Sequence, residues 1–376
     1  MTKRRGANEG TIVRRRDGRW AAAISLGGRR RKWFYGTTRE EVYRKMTAAQ
    51  HAMNSGGLAD SRGLTVGDFL NQWLDEVVRP SVRRWTYHGY EVHVRLHISP
   101  AVGHLPLERL EPRHVQLLLN QKLKEGMAPK SVRYIRGTLR NALNQAVRWG
   151  LVARNAAALV DGPRVPTYEI QAFTPDEARK FLLAAKGDRL EALYSVALTL
   201  GLRQGEALGL RWQDIDVRLG YLRVARQLQR FDGIFQLVEP KTVRSRRTIV
   251  MPHSISKVLG EHRTRQAEER AKSGKGWNEW DLVFTRPDGQ PLDGTVVTHQ
   301  FHRFLDKAGL PQRRFHDLRH SCATLLLAQG VSARVVMEIL GHSHIALTMN
   351  TYTHVVPELR RDAAQRMEAL LREPER

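Results

Sequence analysis

Six side chains in the C-terminal half are of types that could together handle a phosphodiester: Arg203, Lys241, His316, Arg319, His342 and Tyr352. They fall in four polar stretches, "TLGLRQGEALGLRWQDID", "EPKTVRSRR", "RFHDLRHSCATLLL" and "LGHSHIALTMNTYTHV". Arg203 and Glu206 are three residues apart, so a helical turn can turn both the same way. His316 and Arg319 share that spacing, with His320 beside them. Lys241 falls between two strand-like segments. Gly341 ends the helical pattern "ARVVMEIL" and leaves His342 at a bend. Tyr352 follows ten residues later, so a bend and a short helix can bring both onto one pocket.

Two arginines, two histidines and a lysine can hold one phosphodiester and neutralise the charge of its transition state. A tyrosine can attack the phosphorus and keep the bond energy as a covalent ester. Its phenol has a pKa near ~10, so it needs a base, which a histidine can supply. A lysine on a hairpin can protonate the leaving 5′-oxygen. No acidic triad accompanies the set, so two-metal phosphoryl transfer fits poorly, and "HDLRH" lacks the H-E-x-x-H zinc pattern. Each residue also has a plainer reading. Arg203–Glu206 is an ordinary ion pair, His316 a structural histidine, Lys241 a solvated charge and Tyr352 a packed phenol. Cys322 is core, with Leu325, Leu326 and Leu327 on the same apolar side.

These stretches need a scaffold. The chain has 376 residues, 41% of them hydrophobic, room for two or three domains. No run of 18 apolar residues occurs, which speaks against a membrane span. The basic start "MTKRRGANEG" has no apolar segment behind it, so no secretory signal is expected. With one cysteine, no intrachain disulfide framework is expected, and a reducing, cytoplasmic setting is the simple reading. Lys plus Arg is 62 against 38 Asp plus Glu, a net charge of +24. Arginine predominates, which suits forked contacts to phosphate and makes a nucleic acid the first candidate partner. An arginine-rich codon bias would give the same balance.

Residues 1–55 hold alternating segments with turns at Asp17-Gly18 and Gly27-Gly28, then "TREEVYRKMTAAQHAM" with Thr38 as cap. This predicts three short antiparallel strands and a helix. Arg14, Arg16, Arg29, Arg30, Arg31 and Lys32 make it strongly basic. Its aromatics, Trp20, Trp33, Phe34 and Tyr35, can form a core while the arginines face DNA. A linker at 56–63 leads to residues 64–160, which read as four helices. The first is capped at Thr65 with Asp68, the second stops near Ser99-Pro100, and the third carries Pro112 early. The fourth has Val132, Ile135, Leu139, Leu143 and Ala146 on one stripe, with Arg133, Arg136 and Arg140 mostly off it. A second linker, 161–173, precedes a larger domain, 174–376. It opens on a Thr174-Pro175-Glu177 capping box, is mainly helical, and holds one β region that includes Arg244.

At these residues the chain resembles the tyrosine recombinase, or phage integrase, family. The family's ordered signature is an arginine in a "GLR…E" context, a hairpin lysine, "H-x-L-R-H" on a helix, then "LGH" followed closely by "TY". Arg203 with Glu206, Lys241, His316-Asp317-Leu318-Arg319-His320, Leu340-Gly341-His342 and Thr351-Tyr352 match it in order. The resemblance implies that Tyr352 forms a 3′-phosphotyrosine and that Arg203 and Arg319 clamp the scissile phosphate. It implies that His316 serves as acid/base partner, that His342 donates to a non-bridging oxygen, and that Lys241 protonates the 5′-hydroxyl. Glu206 and His320 would buttress the site. No metal or ATP is implied, because the ester conserves the bond energy. His344 stands where many relatives have a small residue, and no role is assigned to it.

The fold implied is multidomain. It comprises a small three-stranded sheet plus helix resembling an arm-binding domain, an all-α SAM-like core-binding domain, and a mainly α catalytic domain with a small antiparallel sheet, the DNA breaking-rejoining fold. The partners implied are double-stranded DNA at core-type and arm-type sites and a homotetramer on that DNA. A host DNA-bending protein and an excision (directionality) factor would assist, in the nucleoid of a bacterial host. The tail "VPELRRDAAQRMEALL" places Leu359, Ala363, Met367 and Leu370 near one face, which would dock on a neighbouring subunit. Integration and excision of a phage or other mobile element is the expected role. A transposon or plasmid recombinase of the same family is the alternative within the family. A DNA-binding regulator without catalysis is the alternative outside it, and every matched catalytic position being filled argues against that.

Overall fold

The computed structural model describes residues 11–25, 31–54, 63–166, 171–240, 243–341 and 367. The chain divides into two compact units, 1–167 and 168–376. Among the described residues no helix is long and apolar enough to cross a membrane.

The first unit opens with strands β1 (Thr11–Arg14), β2 (Trp20–Ser25) and β3 (Arg31–Gly36), antiparallel in that order, followed by helix α1 (Arg39–Asn54). The predicted cap is present, with Glu41 N–H donating to Thr38 Oγ1 at 3.2 Å. Strand alternation sorts the side chains by face. Ile12, Trp20, Ala22, Ile24 and Phe34 pack against Val42 and Met46 of α1. Val13, Trp33 and Tyr35 lie on the opposite face and stay exposed. The aromatics are therefore split: Trp20 and Phe34 build the core, while Trp33 and Tyr35 do not.

Four helices follow around one apolar cluster. The first runs as α2 (Val66–Trp73), a π-turn (Leu74–Val78) and α3 (Arg79–Ser81). Its cap is the predicted Thr65–Asp68 capping box. The second runs as α4 (Arg84–His93), a π-turn (Val94–Ile98) and α5 (Ser99–Val102). Here the helix ends at Val102, two residues beyond Pro100 and a little past the stop expected near Ser99-Pro100. A proline ring collides with the carbonyl four residues back in a regular α-helix. Each π-turn ends two residues before a proline, and the residue between closes its wide turn, with Arg79 N–H donating to Leu74 O and Ser99 N–H to Val94 O. The wider turn makes room for Pro80 and Pro100, and both helices carry on. Helices α6 (Pro112–Lys124) and α7 (Pro129–Arg148) complete the bundle, and α7 buries Val132, Ile135, Leu139, Leu143 and Ala146 as the spacing predicts.

The second unit begins with α8 (Pro175–Ala184), whose Thr174–Glu177 box is formed. Helix α9 (Glu191–Leu200) is buried on nearly every side and is the hub of the core. After it come α10 (Gln204–Leu208) and strands β4 (Ile215–Asp216), β5 (Tyr221–Val224), β6 (Gln227–Phe231), β7 (Ile234–Val238) and β8 (Arg247–Val250). Strands β4, β5 and β8 form one antiparallel sheet. Strands β6 and β7 form a separate hairpin turned by Asp232-Gly233, both at positive φ, the two-residue turn that suits strand twist. Helices α11 (His253–Ser273), α12 (Gly294–Lys307), α13 (Asp317–Ala328) and α14 (Ala333–Leu340) follow. Phe181, Tyr194, Phe301 and Phe304 stack edge-to-face or tilted at its centre. The small basic sheet module, the helical bundle and the mainly α unit with its small sheet are the architecture expected from the sequence.

Candidate active site

Helices α9 and α14 both end at a glycine in the left-handed conformation, Gly201 (φ 62°) and Gly341 (φ 68°). A left-handed glycine at this position ends the helix. After Gly201 the chain turns into α10, so Arg203 becomes its N-cap and Glu206 its third residue. Glu206 accepts from the Arg203 backbone N–H at 3.1 Å and from Arg203 Nη1 at 2.7 Å. It also accepts from Arg247 Nη2, at the start of β8, at 3.1 Å. Arg203–Glu206 is an ion pair, as its plainer reading has it, but not an exposed one, since Glu206 is buried at 2% exposure.

Arg319, on α13, is as deeply buried as Glu206. Its Nη1 donates to Gly201 O at 2.8 Å and its Nη2 to Leu340 O at 2.7 Å. One guanidinium thus pins the ends of α9 and α14 together, using carbonyls that a helix C-terminus leaves unpaired. Burial pushes the Glu206 carboxyl up, but Arg247, Arg203 and Arg319 outweigh it and hold the carboxyl below its usual range. Three guanidiniums around one carboxylate leave a net positive pocket among the described residues.

His316 is the N-cap of α13, one turn before Arg319. Its ring meets that of His320 edge-on at 4.9 Å. Burial first, then His320, Arg319 and Arg203, push its pKa down to about 4. Its imidazole is therefore neutral at neutral pH and able to accept a proton. His320 is pushed down too, chiefly by burial. Asp317 anchors the loop before α13, accepting from Arg314 N–H at 2.9 Å and Arg314 Nη2 at 2.9 Å. Ser321 accepts from Phe173 N–H and donates to Asp317 O, both at 2.8 Å, tying the start of the unit to this helix. Cys322 is core, as expected. It is buried, donates to Thr199 O at 3.3 Å, and burial pushes its thiol up to about 12.

The structure thus brings Arg203, Glu206 and Arg319 together, with His316 within their electrostatic reach. Lys241, His342, His344 and Tyr352 lie outside the described residues, as do Arg29 and Arg30. Of the tail residues only Met367 is described, helical and exposed. Arg14, Arg16, Arg31, Lys32, Arg133, Arg140 and Arg244 are exposed, and Arg136 is half-buried. Among the described residues no group of three or more His, Cys, Asp or Glu could hold a metal ion. Sequence reasoning did not single out Arg247, one of three arginines in "VRSRR". A signal was available: in β8, Ile249 faces the core, and Arg247, two residues earlier, faces the same way.

Residues 171–358 match the model described as the phage integrase family, and residues 65–123 match its N-terminal SAM-like domain. A curated relative, the "Tyrosine recombinase XerC-like" protein of Caldanaerobacter subterraneus subsp. tengcongensis, is 35% identical over 90% of this chain and 92% of its own length. The chain belongs to the phage integrase family. Its activity is that of a tyrosine-type site-specific recombinase: DNA strands are cleaved and rejoined through a phosphotyrosyl intermediate. Two solved integrases share the fold. The Tn1549 transposon integrase in complex with transposon right end DNA superposes with a TM-score of 0.70 at 22% identity, over 81% of this chain and all of that one. A lambda integrase tetramer bound to a Holliday junction gives 0.58 at 20% identity, over 93% of this chain and 96% of that one.

Proposed function

We propose that this recombinase integrates and excises a mobile element, with Tyr352 as nucleophile. The phenolic oxygen of Tyr352 forms a bond to phosphorus as the bond from phosphorus to the 5′-oxygen breaks. His316 takes the phenolic proton, and Lys241 gives one to the departing 5′-oxygen. Arg203 and Arg319 hold the non-bridging oxygens, with His342 donating a further hydrogen bond. The 5′-hydroxyl of a partner strand then attacks the ester and releases Tyr352. Energetically the exchange is near neutral, because one phosphoester replaces another.

The observation that carries this reading is the electrostatic surplus around Glu206. One carboxylate faces Arg203, Arg247 and Arg319, beside a histidine that stays neutral. Such a pocket is short of negative charge and has a proton acceptor at hand, which suits a phosphodiester attacked by a phenol.

Double-stranded DNA is the partner, and a homotetramer on two duplexes the working form. The solved neighbours on transposon-end DNA and on a Holliday junction favour both. Residues 64–160 and 174–376 would hold core-type sites. The basic module at 1–55 would hold arm-type sites through Arg14, Arg16, Arg29, Arg30, Arg31 and Lys32. Arg133, Arg136, Arg140 and Arg244 would contact backbone phosphates, His320 would support His316, and a host DNA-bending protein and an excision factor would set direction. A transposon recombinase remains the second reading, favoured by the Tn1549 likeness. Nicked duplexes drawn from a randomised pool test the chemistry. The wild-type chain should capture a subset covalently at their 3′ ends, and Tyr352→Phe should bind that subset without linking. A linked product with Tyr352→Phe would overturn the nucleophile.

A further inference from the structure

Arg247 is not among the side chains that the reaction requires, yet it is buried as few arginines are. Its side chain is 7% exposed, next to a Glu206 side chain at 2%. It opens β8, paired with Val224 of β5, and strand parity points it inward with Ile249. Two of the guanidinium nitrogens reach distant segments, and the third bonds back to the chain just before β8. Nη2 donates to Glu206 at 3.1 Å, Nη1 to Ser245 O at 3.1 Å and Nε to Ile339 O at 2.5 Å.

The three partners lie on the three segments that carry catalytic candidates. Glu206 grips Arg203. Ser245 closes the β7–β8 connection, four residues after Lys241. Ile339 lies in the last turn of α14, three residues before His342. Gly341 presses on the same side chain: a Cβ built there would meet Arg247 Nη1 at 3.1 Å and Cδ at 3.2 Å, and Arg244 O at 3.0 Å. A planar fork with five donors in fixed directions can satisfy three such acceptors at once, whereas a lysine ammonium on a flexible stem cannot span them. Arg319 does the equivalent between α9 and α14, so the pocket is closed by two buried arginines working on different walls.

We infer that Arg247 is a positioning residue, which sets the register between the Arg203 turn, Ser245 before β8 and the end of α14, the described segments next in sequence to Lys241 and His342. This rests on the proposed roles of Arg203, Lys241 and His342. Removing the fork frees Glu206 to shift and lets the start of β8 and the end of α14 move independently. DNA binding then persists while the cleavage geometry is lost, because misplacement of about 1 Å is enough to cost about 100-fold in rate.

The test uses the full chain and the duplex that the wild-type chain captures covalently from a randomised nicked pool. Binding, single-turnover cleavage and thermal stability are measured for Arg247→Lys, Arg247→Met, Glu206→Gln and the Arg247→Met/Glu206→Gln double variant. Arg247→Lys keeps the charge but not the span. It should bind within about twofold of wild type and cleave roughly 10–100-fold more slowly. The double variant should cleave no more slowly than the worse single one, since both changes cut the same linkage.

The pH profile separates positioning from mere stabilisation. Glu206 faces Arg203 on its own turn, Arg247 on β8 and Arg319 on α13. With Arg247 replaced by Met, burial works against the carboxylate with one opposing cation fewer. Cleavage by Arg247→Met should therefore fall off at a higher pH than wild type as the solution is acidified. Arg247→Lys should keep the wild-type limb, and the double variant should not show the displaced one. Wild-type cleavage by folded Arg247→Lys, or fully multiplicative losses in the double variant, would overturn the inference while leaving the recombinase reading intact. Failure of the wild-type chain to capture any duplex would instead remove the catalytic reading and this inference with it.

Discussion

Arg319 Nη1 donates to the carbonyl oxygen of Gly201 at 2.8 Å, joining residues 118 positions apart. The bond depends on the left-handed turn at Gly201, which aims that carbonyl at the guanidinium. A Cβ at Gly201 would land on Leu340 Cδ2 and stand 3.2 Å from Cys322 Sγ. Gly201→Ala therefore combines a left-handed cost of about 1–2 kcal/mol with an overpacking cost of about 1–3 kcal/mol. Denaturant unfolding should show a loss of that order. Measured against a Leu340→Ala chain, Gly201→Ala should cost less, nearer the backbone part alone.

The two catalytic arginine candidates should separate in stability. Arg203 is partly exposed, and its loss leaves Glu206 paired with Arg247. Arg319→Ala would leave Gly201 O and Leu340 O unpaired in the interior, at about 1–3 kcal/mol each. Both alanine variants should lose cleavage by about 100-fold or more. Only Arg319→Ala should show a large drop in melting temperature. Equal melting points for the two would contradict the assigned carbonyl contacts.

His316 gives a prediction in pH. Its ring holds a pKa of about 4, against an ordinary 6.5. The neutral, proton-accepting form thus persists well below pH 6.5 in the free protein. The second-order rate of covalent capture, which reports groups of the free enzyme, should lack a His316 limb near 6.5 and carry it toward pH 4. His316→Gln should lower the rate across the range and remove that limb. A limb at 6.5 that disappears in His316→Gln would show the ring to be solvated.

How much of this arrangement was legible from sequence depends on how local each interaction is. Thr65–Asp68, Thr174–Glu177 and Arg203–Glu206 are contacts within one turn, and spacing alone places them. Gly201 and Gly341 announce helix ends because only glycine takes that turn at little cost. Strand parity with Ile249 marks Arg247 as inward-facing, but it does not say what the side chain meets there. Its partners Glu206 and Ile339 are 41 and 92 residues away, and only the folded sheet brings them to it. Pro100 set the expected stop a little early for a related reason: proline ends helices on local rules, and the preceding π-turn is a backbone response that composition does not encode. In the N-terminal sheet, alternation separates Trp33 and Tyr35 from Phe34, but which face α1 covers is a tertiary fact.

Away from the catalytic candidates, His262 should make folding stability fall in acid. Its Nε2 donates to Val283 O at 2.7 Å, and Nδ1 accepts from Arg265 Nη2 at 2.8 Å, between the rings of Trp212 and Phe284. That arrangement fits the neutral ring, since a second N–H would point at the guanidinium. Burial chiefly, with Arg265 and Arg189, brings its pKa down to about 4. Above pH 6.5 the folded and unfolded chains are both neutral here. Between 6.5 and 4 the unfolded chain takes up a proton that the folded one refuses, so stability falls as pH falls, by up to about 1.4 kcal/mol per unit. Urea unfolding from pH 7.5 to 4.5 should show this slope, and His262→Gln should flatten its share of it. An unchanged slope in the variant would mean that the ring charges freely in the fold, against the two hydrogen bonds described for it.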